Sequence, residues 1–397
     1  MNNHIAKLYQ IARKPQRLII GLMSGTSLDG LDVALCRFTG SGTETQAEIL
    51  AFETMPYAAT VKEAIRTVFA KKQADLELLT LLNPWIGRLH AALILECLQR
   101  WQYNATDIDL IASHGQTIYH APRRLHERES FPNATLQIGD GDHIAVQTGI
   151  ITLSDFRQKH IAAGGEGAPL AVYGDYLLFS QAGEDRVMLN MGGIANFTYL
   201  AGDLDASKMF STDVGPGNTL IDACMRIHYN QAFDPDGTVA TSGQVNKDLL
   251  RALLDHPFFT QEFPKTTGPE LFGPAYVEAA QQRSATQRLS PADLVATLTR
   301  FSAEGIASAI RQGVASVAPV VYMSGGGMHN PVLVGHLKQL LPGLVFKTTA
   351  DLHILPDAKE AVLFAVLANE TVAGGTVSFG NRPGIPTVTM GKISFPD

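Results

Sequence analysis

A chain of 397 residues with 38 Asp and Glu against 31 Lys and Arg has a formal net charge of −7, which argues against nucleic acid or anionic membrane as its main partner. Its 45% hydrophobic and 17% charged residues fit a globular protein with a sizeable core and two to three domains. Cys36, Cys97 and Cys224 are scattered without C-x-x-C spacing, a pattern that fits a reducing compartment and offers neither a disulfide framework nor a cysteine zinc site.

Residues 1–17 are polar and mildly basic, without the apolar stretch of a secretory signal, and are expected to form an extension with one short helix. No apolar run is expected to reach the length of a membrane span, and the expected location is cytoplasmic. Leu18–Leu22 and Val33–Leu35 read as strands flanking a polar turn, and Ala47–Pro56 as a third strand. Val61–Ala70 and Leu76–Trp101 have helical spacing, the latter containing Pro84. Asp109–Ser113 reads as a strand ending in the polar tip His114-Gly115-Gln116-Thr117, where α/β sheets usually carry their chemistry. After a strand at Ile150–Leu153 comes Ser154-Asp155-Phe156-Arg157, then the small-residue run Ala162–Pro169, either a ligand-facing loop or a hinge.

The opening theme then repeats. Val187–Met191 is a strand, Gly192-Gly193 the turn, and Ile194–Leu200 the outgoing strand. Lys208–Thr212 runs into Asp213-Val214-Gly215-Pro216-Gly217-Asn218, followed by a helix at Thr219–Tyr229 that Asn218 and Thr219 can cap. Pro291–Val314 reads as a long helix, Val320–Met323 as a strand ending in Ser324-Gly325-Gly326-Gly327, His329–Leu341 as a helix, Leu344–Lys347 as a strand, and Ala358–Ala373 as the closing helix. Both halves share an order of elements without sharing sequence, which points to two α/β domains facing each other across a cleft.

The first turn carries hydroxyls at Ser24, Thr26 and Ser27, carboxylates at Asp29 and Asp32, and glycines at 25 and 30. It can present backbone N–H groups to a phosphate, with a divalent cation between phosphate and carboxylates, or it can be a polar hairpin. A P-loop is excluded, because Leu31 stands where its lysine must be and a strand follows. No dinucleotide fingerprint survives either, since Gly215-Pro216-Gly217 lacks the third glycine. Asp213, at an expected strand end, can serve as a general base or cap its turn. Gly325–Gly327 could lie against a base or sugar, though a glycine-rich helix entry is common without any ligand. Of the two nearby histidines, His114 at the strand tip is the better candidate for a substrate contact, and His120 reads as an ordinary polar residue. Arg157 can pair with neighbouring Asp155 or bind a carboxylate. Glu360 reads as a solvated or capping residue.

These motifs together resemble the anhydro-N-acetylmuramic acid kinases, a branch of the actin-like sugar kinase superfamily. The likeness runs from about Leu18 to the end of the chain. Its carriers are Gly21–Gly30, Ser113–Thr117, Asp155–Arg157, Ala162–Pro169, Asn190–Asn196, Asp213–Asn218 and Ser324–Gly327. The resemblance implies two actin-like (ribonuclease H-like) domains, residues 18–154 and 155–397, with a final segment able to pack back on the first. It implies an ATP-dependent kinase that phosphorylates the 6-oxygen of 1,6-anhydro-N-acetylmuramic acid while water opens the anhydro bridge, in cell-wall recycling. ATP and Mg²⁺ are the implied cofactors and a homodimer the implied assembly. ATP would be bound by Gly25, Thr26, Ser27, Leu28, Asp29, Gly30, Leu31 and Asp32 with Gly192, Gly193, Gly325, Gly326 and Gly327. Asp213 would be the base, and His114, Gln116, Thr117, Asp155, Arg157 and Gly165 would meet the substrate. Arg157 would hold either the lactyl carboxylate or the transferring phosphoryl group. Metal ligands are not identified. An actin-like kinase for another sugar or a small carboxylic acid, and a non-catalytic sugar-responsive regulator, are the rival functions.

Overall fold

In the computed structural model, which describes every residue except 1, 26, 27, 269, 317, 376 and 381–383, the apolar opening segment becomes β1 (Gln16–Ser24). It returns as β2 (Gly30–Thr39), with Gly21 opposite Ala34 and Met23 opposite Asp32. β3 (Gln46–Pro56) completes an antiparallel meander. β4 (Leu110–Ala121) lies parallel to β1 on its other side, and β6 (Thr152–Ser154) parallel to β4. β5 (Ala134–Ile138) pairs antiparallel with the far part of β4, and the C-terminal strand Lys392–Ser394 pairs with β6.

A sheet covered on both faces explains the uninterrupted apolar run in β1. On one face Ile20, Leu22, Val33 and Leu35 pack with Ile65 of helix Ala59–Val68 and with Leu82, Ile86 and Ile94 of helix Leu76–Trp101. On the other, helix Lys359–Ala373 buries every residue from Ala361 to Glu370. Gly21 permits this approach. A Cβ there would stand 1.9 Å from the Ala361 carbonyl oxygen.

Helix Leu76–Trp101 bears on the expectation about membrane spans. Its 26 residues are long and apolar enough to cross a bilayer by length and composition alone, although Asn83, Pro84, Arg88 and His90 interrupt the apolar sequence. Its buried face is part of the core just described.

The chain divides into two compact units, Met1–Phe179 with His353–Asp397, and Ser180–Leu352. The expected boundary after residue 154 is therefore displaced. Helices Phe156–Ala162 and Ala171–Phe179 belong with the first unit, where Asp175 pairs with Lys359 at 2.9 Å and Gly174 packs under Leu363. The C-terminal segment belongs to the first unit too.

The second unit repeats the plan. β7 (Arg186–Met191), β8 (Ile194–Leu200) and β9 (Phe210–Pro216) form a meander. β10 (Val320–Ser324) lies parallel to β7, and β11 (Val345–Thr348) parallel to β10. The order β11-β10-β7-β8-β9 matches β6-β4-β1-β2-β3 of the first unit, which is the α/β, actin-like pattern. Val187, Leu189, Met191 and Phe197 pack on Ile306 and Ile310 of helix Pro291–Gly313 and on Leu333 and Leu337 of helix Pro331–Leu340. A helical cluster around Leu220, Met225, Leu249, Phe258, Phe272 and Phe301 fills the rest of this unit.

Two strands outrun their expected ends. β4 continues through His114–Thr117 to Ala121, because β5 supplies a partner edge there and the register shifts between Thr117 and Tyr119 absorb the irregularity. β9 continues to Pro216, which places Asp213 inside a strand opposite Asn196 rather than at its end.

Candidate active site

The first hairpin turn is held from below by side chains. Ser24, at the end of β1, donates to Gln116 Oε1 on β4 at 2.5 Å, and Tyr57 Oη donates to Ser24 Oγ at 2.9 Å. Tyr57 Oη also lies 2.8 Å from His90 Nε2, so with Tyr57 donating to Ser24, His90 acts as the N–H donor. All four are buried, and burial holds His90 neutral, down to about 4. Gln116 Nε2 reaches back to the carbonyls of Gly25 and Thr117. Gln116 is thus a brace for the turn, and Thr117 Oγ1 accepts from Gln137 at 3.2 Å.

Leu28 takes a positive φ of 61° and is buried, Leu31 is buried opposite Met55, and Tyr57 N–H donates to Asp29 O. Leu28 and Leu31 therefore have core side chains, and any ligand contact they make is through backbone. Thr26 and Ser27 lie outside the described residues. Asp32 Oδ1 accepts from Thr54 Oγ1 at 2.6 Å. Burial raises its carboxyl, the Thr54 hydrogen bond partly offsets this, and the charges of Asp357 and Asp29 add to the rise. Such a carboxylate gains from a nearby cation.

Arg157 lies in the same unit. Its Nε donates to His114 Nε2 at 2.8 Å and its Nη1 to the Gly167 carbonyl at 2.7 Å. Burial lowers this guanidinium to about 10, opposed by the charge of Glu360. His114 is 2% exposed, packs against the Phe364 ring, and is kept well below the ordinary histidine value by burial and then by Arg157. It orients Arg157 rather than standing at a strand tip. Asp155 pairs with Lys392, not with Arg157. The glycine-rich run is folded around His160: Gly165 N–H donates to its carbonyl, Gly167 N–H to its Nδ1, and a Cβ at Gly165 would meet its ring at 2.2 Å. That contact explains why the run is so poor in side chains. Glu360 is solvent-accessible yet ringed by protein, which raises its carboxyl, while Lys359 and Arg157 lower it.

In the second unit the corresponding turn is held by backbone. Gly217 and Thr219 N–H donate to Gly193 O, and Asn218 N–H to Gly192 O, all at 2.8–3.1 Å. A Cβ on Gly217 would stand 2.3 Å from Gly192 O. The first amides before helix Thr219–Tyr229 are thus spent on the turn. Asn218 does not cap that helix with its side chain, which donates instead to Met191 O at 3.2 Å. Gly325 adopts φ 79° against Asn190 and Met191, and Gly326–His329 form a 3-10 turn. The helix expected from His329 begins at Pro331, capped by Asn330. Asp213 N–H donates to Lys265 O, and Asp213 Oδ2 accepts from Thr267 N–H at 2.8 Å.

The family model for anhydro-N-acetylmuramic acid kinase matches residues 17–389. The chain belongs to this family. An anhydro-N-acetylmuramic acid kinase of Pseudoalteromonas atlantica is 57% identical over 401 residues, spanning 100% of both chains. One of Caldanaerobacter subterraneus subsp. tengcongensis is 39% identical, over 98% of this chain and 100% of that one. Among solved structures, the activator of 2-hydroxyisocaproyl-CoA dehydratase from Clostridium difficile with bound ADPNP is 12% identical, with a TM-score of 0.43 over 89% of this chain and 95% of that one.

As a member of the anhydro-N-acetylmuramic acid kinase family the chain is a kinase. Among the described residues no group of three His, Cys, Asp or Glu side chains converges as a ready-made metal cage. Magnesium in kinases is usually held by one or two carboxylates together with phosphate and water, so the carboxylates of the first turn fit that mode. Sequence reasoning missed Tyr57, His90, His160, Lys265 and Thr267. His90 left a trace, as a polar residue four positions from both Ile86 and Ile94 on the buried helix face. Lys265 and Thr267 left none.

Proposed function

We propose that the chain transfers the γ-phosphoryl group of ATP to the 6-oxygen of 1,6-anhydro-N-acetylmuramic acid while water opens the anhydro bridge, yielding N-acetylmuramic acid 6-phosphate and ADP. Asp213 accepts a proton from water as its oxygen bonds to carbon 1. The bond from carbon 1 to the 6-oxygen breaks, the electron pair left on that oxygen forms the new bond to the γ-phosphorus, and the bond from that phosphorus to the bridging oxygen breaks with its electron pair leaving on ADP. Coupling the two steps supplies the nucleophile at the moment phosphoryl transfer needs it.

The observation that carries this reading is Asp213 itself, a carboxylate on β9 with one oxygen fixed by Thr267 N–H, within a family of sugar kinases. The backbone of Gly25, Leu28–Asp32, Gly192, Gly193 and Gly325–Gly327 offers close approach to the nucleotide. Asp29 and Asp32 would hold Mg²⁺, which would screen phosphate charge. Arg157, partly neutralised by Glu360, suits the substrate's lactyl carboxylate. The protein acts in cell-wall sugar recycling, in the cytoplasm, as a homodimer. A turnover assay in ¹⁸O-water tests the chemistry: label at carbon 1 of the phosphorylated sugar is expected. Unlabelled product, or N-acetylmuramic acid phosphorylated as fast as its anhydro form, would sink the coupled mechanism.

A further inference from the structure

The outer edge of β9 is bordered by a short segment more than fifty residues downstream. Asp213 N–H donates to Lys265 O at 2.9 Å, Lys265 N–H donates to Thr212 Oγ1 at 3.0 Å, and Thr267 N–H donates to Asp213 Oδ2 at 2.8 Å. The segment is anchored by Lys265, only 7% exposed, whose ammonium donates to Phe258 O at 2.8 Å. That ammonium also lies 4.6 and 4.8 Å from the Phe258 and Phe263 ring centres. Burying a lysine is costly, and here the expense fixes the register of three consecutive residues against the strand that carries Asp213. The Thr267 hydroxyl is buried and has no partner among the described residues.

We propose that residues 265–267 form a positioning strap for Asp213, in which the Thr267 amide holds one carboxylate oxygen and so aims the group at its proton donor. The inference rests on Asp213 being the base and deepens that assignment. Thr267 acts through Asp213, so it is a positioning residue rather than a catalytic one. A misplacement of about 1 Å at such a group costs on the order of 100-fold in rate.

The test is Thr267→Pro, which lacks the N–H, beside Thr267→Val, which keeps it and loses the hydroxyl. The proline variant should lose about 100-fold in kcat with KM for ATP and sugar within about threefold of wild type. The valine variant should lose several-fold less. In an Asp213→Asn background the proline substitution should cost nothing further, because the group it serves is gone. Wild-type kcat in Thr267→Pro, or the same fold-loss in both backgrounds, would overturn the strap. Near-normal turnover by Asp213→Asn alone would instead overturn the base assignment. Should the proline variant not fold, amide exchange at Thr267 decides: it should quicken at least tenfold in Asp213→Ala, and unchanged protection would refute the strap.

Discussion

The β1–β2 and β7–β8 hairpins occupy the same place in sheets of the same strand order, yet they are secured by different means. The first rests on a buried relay of side chains, from His90 through Tyr57 and Ser24 to Gln116. The second rests on main-chain bonds from Gly217, Asn218 and Thr219 to the two turn carbonyls. A shared topology thus fixes where a turn goes, not what holds it. Side-chain support makes a turn sensitive to lost polar atoms and to acid. Backbone support makes it sensitive to any added side-chain atom, because glycines allow the chains to meet.

The largest expected effect separates β9, which carries Asp213, from the two hairpin turns. Asp213→Asn should lower kcat at least about 1,000-fold while KM for ATP stays within a few-fold, measured by steady-state kinetics. A raised KM for ATP at unchanged kcat would assign Asp213 to nucleotide binding and erase the distinction. Acid should next distinguish the units. Burial lowers His90 and His160 to about 4, so both stay neutral in the folded protein while the unfolded chain takes up protons near 6.5. Their contribution is complete above about pH 6.5 and lost as the pH falls towards 4, roughly 3 kcal/mol each at most. Amide exchange at pH 5 should therefore loosen β1 before β7, and equal loosening would contradict this.

Gly217→Ala places a methyl group against the Gly192 carbonyl and should cost about 2–3 kcal/mol in urea unfolding. An unaffected midpoint would mean that the second turn yields as readily as the first. Tyr57→Phe removes the hydroxyl between His90 and Ser24 and should cost about 1–2 kcal/mol. It should also raise KM for ATP severalfold, because the turn above Ser24 loses its brace. Unchanged stability and KM would show that the relay is ornamental to the first turn.

The hairpins, their glycine turns and the repeat of topology were legible in sequence because they follow from local patterns: apolar runs for buried strands, glycine at tight turns. What depended on distant partners was not. Asp213 looked like a strand end because Gly215 and Pro216 follow it, whereas pairing with β8 and the segment near Lys265 carries the strand past them. His114 looked like a tip residue because β5, which extends β4 beyond it, comes about twenty residues later. Arg157 sits two positions from Asp155, yet it lies in the first turn of helix Phe156–Ala162 and reaches His114 and Gly167. The unit boundary was hidden for the same reason: Asp175 finds its partner at Lys359, far along the chain.

The seat that Gly21 provides for helix Lys359–Ala373 also sets an order of events during synthesis. The second unit is a single continuous stretch, Ser180–Leu352, whereas the first is completed only by residues from 353 onward. At about 5–20 residues per second, the ribosome leaves one face of β1 uncovered for roughly 10–40 seconds after Phe179 is made. Nascent chains arrested beyond Leu352 should resist protease in the second unit while the first is still cleaved. Protection of both units at that length would show that β1 finds interim cover. The half of the molecule that starts first is the half that finishes last.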